Sequence, residues 1–227
     1  MKLNNLQSYV QTFVQGKKYM TDKIIFLDID GVLNSYYFYQ SKSHQRNVKK
    51  NGYDMVNQIC KRNLFWLSLL CRLTKSKVVL SSTWKYGWEE DGSVRKDIKG
   101  YCMIKTDSLF RKNGINIISV TRRGKLSLEN NYEMNENKIE AWCNKPTFQG
   151  FENIKNRDFV LKYARGTQIM EWIERNHFEG KYVILEDDYQ EIEFYKDLEK
   201  RLVITSYYKK CGGFGFRHFI KALVMMR

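Results

Sequence analysis

The chain has 227 residues, 43% hydrophobic and 15% aromatic, enough to bury a core for one large domain or for a core domain with an inserted cap. Its formal net charge of +14 points to an anionic partner such as nucleic acid, a nucleotide or an acidic surface, with a solvated basic surface as the plain alternative. No apolar stretch is long enough to span a bilayer, and Asn, Gln and Lys interrupt the N-terminus where a signal peptide needs an apolar core, so no membrane association or secretion is expected.

Residues 3–14 place Leu3, Leu6, Val10, Phe13 and Val14 at helical spacing, and Gly16 can end the run. Residues 1–22 therefore read as an amphipathic N-terminal helix, packed on the domain or serving as a partner-binding arm. Residues 23–227 read as one α/β domain with insertions at about 35–53 and 85–163. Its first apolar run, 24–27, ends in Asp28, followed by Asp30 and Gly31. That pattern predicts a buried parallel strand delivering carboxylates to its C-terminal end, where open α/β sheets place their ligands. Residues 35–53, with Lys42, Arg46, Lys49 and Lys50, read as a loop or small flap beside the acids. Residues 54–74 predict a crossover helix and 77–81 a second buried strand, together a βαβ unit.

A third strand is predicted at 115–120, followed by a basic turn at 121–125. Residues 126–163 show no sheet pattern, with a helix at 135–143. Their aromatic and basic residues suit a cap or substrate platform, and equally a peripheral subdomain with its own small core. A helix opens at 165–167 and runs to about 176, with Thr167 as its N-cap, which puts Arg165 where helix N-termini attract anions. A fourth strand, 181–185, ends in Glu186, Asp187 and Asp188. A helix at about 190–200, a short strand at 201–205 and a final helix at 215–226 complete the chain. The five cysteines show no CxxC pair or zinc-like spacing and read as reduced thiols, which places the protein in the cytoplasm.

In a parallel sheet the strand ends share one edge, so Asp28, Asp30, Ser81, Arg165 and the acids at 187–188 converge. This is an inventory for phosphoryl transfer. Asp28 suits a nucleophile, and Asp30 suits a group that protonates the leaving oxygen and then activates water. Ser81 can donate to a phosphoryl oxygen, with Ser82 able to share or take that role. Arg165 can neutralise its charge, with Lys162 as the competing cation. Mg2+ would sit on Asp28, Asp187 and a backbone carbonyl near Asp30, with Asp188 either a further ligand or a helix cap. Trp84 and Lys85, directly after the serines, are candidates for lining the substrate site. The plainer readings are a strand-end cap for Asp28, a structural hydroxyl for Ser81 and a surface charge for Arg165.

Residues 26–34, Phe-Leu-Asp-Ile-Asp-Gly-Val-Leu-Asn, resemble the first motif of the haloacid dehalogenase (HAD) superfamily. Residues 78–85, Val-Val-Leu-Ser-Ser-Thr-Trp-Lys, resemble its second. Residues 165–173, Arg-Gly-Thr-Gln-Ile-Met-Glu-Trp-Ile, and 182–188, Tyr-Val-Ile-Leu-Glu-Asp-Asp, resemble the third and fourth. The combination is similar to HAD domains of "Swiss army knife" RNA-repair proteins. The resemblance implies a three-layer Rossmann-like α/β fold with a parallel sheet and cap insertions. It implies a Mg2+-dependent phosphohydrolase working through an aspartyl-phosphate, on a phosphorylated nucleic-acid end or a nucleotide. The chain carries no ligase or kinase motif, so end repair would require separate sealing enzymes. The alternatives are a small-molecule phosphatase and a nucleic-acid-binding module on the same fold. Three positions depart from the family pattern: Arg165 replaces the usual Lys, Glu186 stands where the subgroup often has Asp, and Gln168 where it often has Glu.

Overall fold

A computed structural model describes residues 21–96, 103–122, 132–143, 157–189 and 192–227, without the side chains at 142, 159, 160 and 162. The predicted N-terminal helix lies outside the described residues. Five strands form one all-parallel sheet: β1 (Lys23–Leu27), β2 (Lys77–Leu80), β3 (Ile117–Val120), β4 (Lys181–Glu186) and β5 (Leu202–Ile204), in the order β3-β2-β1-β4-β5. Each centres on a short apolar run, as strands buried on both faces must, while lysines open β1, β2 and β4.

Alternation along β1 sorts its side chains into two cores. Ile25 and Leu27 face one layer with Val78, Leu80, Val183 and Leu185. That layer is covered by α3 (Lys61–Thr74), through Leu64, Leu67 and Leu70, and by α9 (Phe216–Met225), through Phe219 and Ala222. Ile24 and Phe26 face the other layer with Val79 and Ile184. There α7 (Arg165–Arg175) supplies Ile169, Met170 and Trp172, and the Trp172 ring meets Phe26 edge-on at 5.4 Å. Helix, sheet and helix make the three-layer α/β fold, and the order reverses between β1 and β4, the place where such sheets open a crevice for ligands.

The remaining helices are α1 (Tyr36–Tyr39), α2 (Lys42–Asn51), α4 (Ile104–Lys112), α5 (Glu136–Cys143), α6 (Arg157–Tyr163) and α8 (Lys196–Glu199). Three expectations need correction. The loop or small flap expected over residues 35–53 is largely helical: Ser35 and Ser41 each accept a backbone N–H three residues on and start α1 and α2. Thr167 is not an N-cap. Ala164 holds that position, and the Thr167 hydroxyl pairs with the Tyr195 hydroxyl at 2.8 Å inside the core. The helix expected over 190–200 shrinks to α8, because Ile192, Phe194 and Tyr195 turn inward to fill the second core instead of following a helical face. The four described cysteines, Cys60, Cys71, Cys143 and Cys211, are free thiols. No helix among the described residues is long and apolar enough to cross a membrane.

Candidate active site

Sheet register builds the site. Leu27 pairs with Leu80 on one side and Leu185 on the other, so the next residues, Asp28, Ser81 and Glu186, stand in a row. Backbone bonds continue the ladders past the strand ends: Asp28 N–H donates to the Leu185 carbonyl (2.9 Å) and Ser81 N–H to the Leu27 carbonyl (2.8 Å). One residue beyond Leu27, Leu80 and Leu185, these side chains point to the face that carries Phe26, Val79 and Ile184, which is the face under α7. Arg165, the first residue of α7, therefore stands over them. Its Nη1 lies 2.8 Å from Asp28 Oδ1 and 3.3 Å from Glu186 Oε2, and donates to the Ser81 carbonyl.

Asp28, Glu186 and Asp187 each bring a carboxylate oxygen within 4.8 Å of the other two. Gly31 makes room for the third acid. Its φ is +72°, and a Cβ there would collide with the Asp187 carboxylate. The Gly31 carbonyl is fixed by the Thr205 hydroxyl (2.7 Å).

The charges in this cluster do not balance. Burial pushes the Asp28 carboxyl up, against the opposing pull of Arg165 and a hydrogen bond from Ser82. Burial, and then the charge of Asp28, hold Glu186 well above the usual carboxylate range. Asp187 is pushed up to about 6 by the same two causes. One guanidinium, within ion-pair distance of Asp28 and Glu186, stands beside three crowded acids, and all the offered ligand atoms are oxygens. A hard divalent cation such as Mg2+ fits that donor set. The Ser81 hydroxyl is buried and has no hydrogen-bond partner among the described residues, which suits a group whose partner is a ligand.

Asp30 stands outside the three-acid cluster. Trp84 Nε1 donates to its Oδ2 (3.0 Å) and Asn34 Nδ2 to its Oδ1 (2.8 Å), while Asn34 Oδ1 accepts from Gly31 N–H (2.9 Å). Trp84, expected to line the site, is buried and holds an acid in place. Lys85 is buried as well, with its ammonium on Thr121 Oγ1 (3.1 Å) and Gln168 Oε1. Together with Ser82, Tyr86, Tyr163 and Arg165 it lines a recess of about 300 Å3. Asp188 is exposed and not part of the acid cluster. The Lys162 side chain lies outside the described residues. Sequence reasoning did not place Glu186 or Asn34 in the site. Counting register from the last apolar pair of β1 and β4 finds Glu186 at once.

Residues 24–209 match the model of the HAD domain in Swiss Army Knife RNA repair proteins. The chain belongs to this family. No curated protein and no solved structure matches it. At the level of the superfamily, membership implies phosphohydrolase activity on a phosphorylated substrate. The HAD fold explains why the strand-end row, the Arg165 helix start and the acid cluster occur together.

Proposed function

We propose that this HAD domain is a Mg2+-dependent phosphomonoesterase that removes a phosphate from a nucleic-acid end. The observation that carries the reading is the convergence of Asp28, Arg165 and Ser81 beside the Asp28–Glu186–Asp187 cluster. Asp28 acts as the nucleophile: a carboxylate oxygen attacks phosphorus as the ester oxygen leaves, giving an aspartyl-phosphate. Asp30, held by Trp84 and Asn34, gives the leaving oxygen its proton and then takes one from the attacking water, so that hydrolysis restores Asp28. Arg165 places positive charge where the transferring phosphoryl oxygens gather, and its planar fork suits two of them at once. The Ser81 hydroxyl supplies a further donor. Mg2+, held by Asp28, Glu186 and Asp187, would offset the phosphoryl charge and keep the nucleophile ionised. The nucleic-acid substrate rests on the +14 charge and on the family.

The test is phosphate release from an aryl phosphate and from RNA and DNA decamers phosphorylated at either end, with and without Mg2+. The reading expects Mg2+-dependent release that Asp28→Asn abolishes, and a preference for one oligonucleotide end. Release from none of these substrates defeats it. Release from the aryl phosphate alone leaves a small-molecule phosphatase.

A further inference from the structure

The inserted helices α1 and α2 and the turn after β5 form a surface that the chemistry above does not use. Residues 36–39 read Tyr-Tyr-Phe-Tyr, and 207–208 are again Tyr-Tyr. The two segments are tied by Tyr36 N–H donating to the Tyr207 carbonyl at 2.9 Å. Their rings are neighbours: Tyr36 and Tyr208 at 6.0 Å, Tyr207 and Tyr208 at 4.9 Å, Tyr39 and Tyr207 at 6.4 Å. This group adjoins the site, because Tyr36 follows two residues after Asn34, whose side chain holds Asp30.

Exposure divides the group. Tyr39 packs against His44 and is half-buried, whereas Tyr36 is 43% exposed and Tyr208 is 75% exposed. Large rings left this open on a rim beside a site gain nothing from the core. The two segments themselves carry charge of one sign. Residues 35–53 and 206–218 contain no Asp or Glu. Lys42, Arg46 and Lys49 recur at helical spacing on the exposed side of α2, and Lys209 and Lys210 follow Tyr208 directly. Among the described residues none of these cations has an acid within ion-pair distance. Tyrosine faces interleaved with unneutralised cations match the requirements of a single strand, whose bases stack and whose phosphates need counter-charge. A small phosphorylated metabolite would engage neither.

Resting on the phosphatase reading above, we infer that this rim binds the unpaired nucleotides next to the scissile phosphate. Bases stack on Tyr36 and Tyr208, and the strand's phosphates follow the cations of α2 and Lys209–Lys210. The enzyme would then take single-stranded ends several nucleotides long, not mononucleotides or blunt duplex ends.

Binding tests this separately from turnover. The probe is a fluorescein-labelled single-stranded RNA decamer with a terminal phosphate, in both polarities, titrated by anisotropy against the full chain carrying Asp28→Asn. Tyr36→Ala with Tyr208→Ala should weaken binding about tenfold or more, since each base–aromatic stack contributes on that scale. Tyr36→Phe with Tyr208→Phe should retain it, which separates stacking from misfolding. Arg46→Gln with Lys49→Gln should lower the slope of log affinity against log salt by about 1.4, at about 0.7 per phosphate contact on a single strand. A blunt duplex decamer should bind more weakly than the single strand. Equal affinities of the Ala pair and the parent, or equal binding of duplex and single strand, overturn the rim. Absence of phosphate release by the wild-type chain would defeat the phosphatase reading and leave this binding result standing or falling by itself.

Discussion

Trp84 Nε1 donates to Asp30 Oδ2 at 3.0 Å, joining the segment after β2 to the segment after β1 across the sheet edge. The buried indole cannot rotate freely, so the bond fixes one orientation of a carboxylate whose proposed work is proton transfer. Trp84→Phe keeps an aromatic side chain but removes the donor and leaves a small cavity. A charge-assisted bond contributes about 1.5–3 kcal/mol, so kcat should fall about tenfold or more, beyond a modest drop in melting temperature from the lost packing. Asp30→Asn should cost more, because it removes the proton carrier itself. Steady-state kinetics on an aryl phosphate, beside thermal melts, checks both.

Gly31 should not tolerate a side chain. At φ +72° any L-residue is strained by about 1–2 kcal/mol, and here the new Cβ would also meet the Asp187 carboxylate. Gly31→Ala should lower the stability by more than the strain alone and abolish the effect of Mg2+ on melting, because Asp187 must move. Thermal melts with and without Mg2+ measure both consequences.

The acid cluster makes the metal-free protein respond to pH in the opposite sense to an ordinary salt-bridged carboxylate. Asp187 titrates near 6 when folded, against an unperturbed 3.8. Its folded pKa is raised, so the folded state binds more protons between these values, and its contribution to stability grows as pH falls through that window. Mg2+ competes with those protons. Saturating Mg2+ should therefore raise the melting temperature at pH 7.5 and lose that effect towards pH 5. Glu186→Gln and Asp187→Asn should each stabilise the metal-free chain while weakening the Mg2+ shift. Melting curves over pH, with and without Mg2+, test this.

His218 caps the last helix. Its Nδ1 accepts the Gly215 N–H at 3.1 Å, and burial, followed by Lys221, lowers its pKa below 6.5. Folding favours the neutral ring, so this contribution to stability is complete above 6.5 and is lost as pH falls below it. His218→Gln keeps an acceptor at the same helical position without titrating. The variant should match the parent at pH 7.5 and be the more stable of the two at pH 5.5. Comparing the two proteins cancels the opposing response of the acid cluster.

Much of this fold is legible in the sequence because its strands are compact. The runs at 24–27, 78–80 and 183–185 are buried and break off at a polar residue, so they mark both the strands and the sheet edge that carries the candidate site. Asp28 and Ser81 follow directly from those breaks, and Arg165 from the start of the helical pattern after residue 164. Glu186 stands at the third break, but its place beside Asp28 depends on the register of β4 against β1, a pairing between segments far apart in sequence that no local pattern encodes. The burial of Trp84 and Lys85 depends on a local turn. The short 3₁₀ turn at Thr83–Gly87, capped by Ser82, curls back on the sheet edge and buries both side chains, where a straight continuation of β2 would have carried them outward. Helices α1 and α2 were hidden because α2 buries only His44 and so has almost no apolar face to betray it. Their signal lay in the two capping serines.

The central claim is that Asp28 attacks phosphorus. It is tested most directly by mixing the chain with an excess of a phosphorylated substrate and Mg2+, quenching in acid within the first turnover, and mapping the peptides by mass. The account predicts that the peptide containing residues 24–34 gains the mass of one phosphoryl group, that hydroxylamine removes it, and that Asp28→Asn never acquires it. Phosphate release without any such adduct, or an adduct that survives in the Asp28→Asn chain, would contradict it.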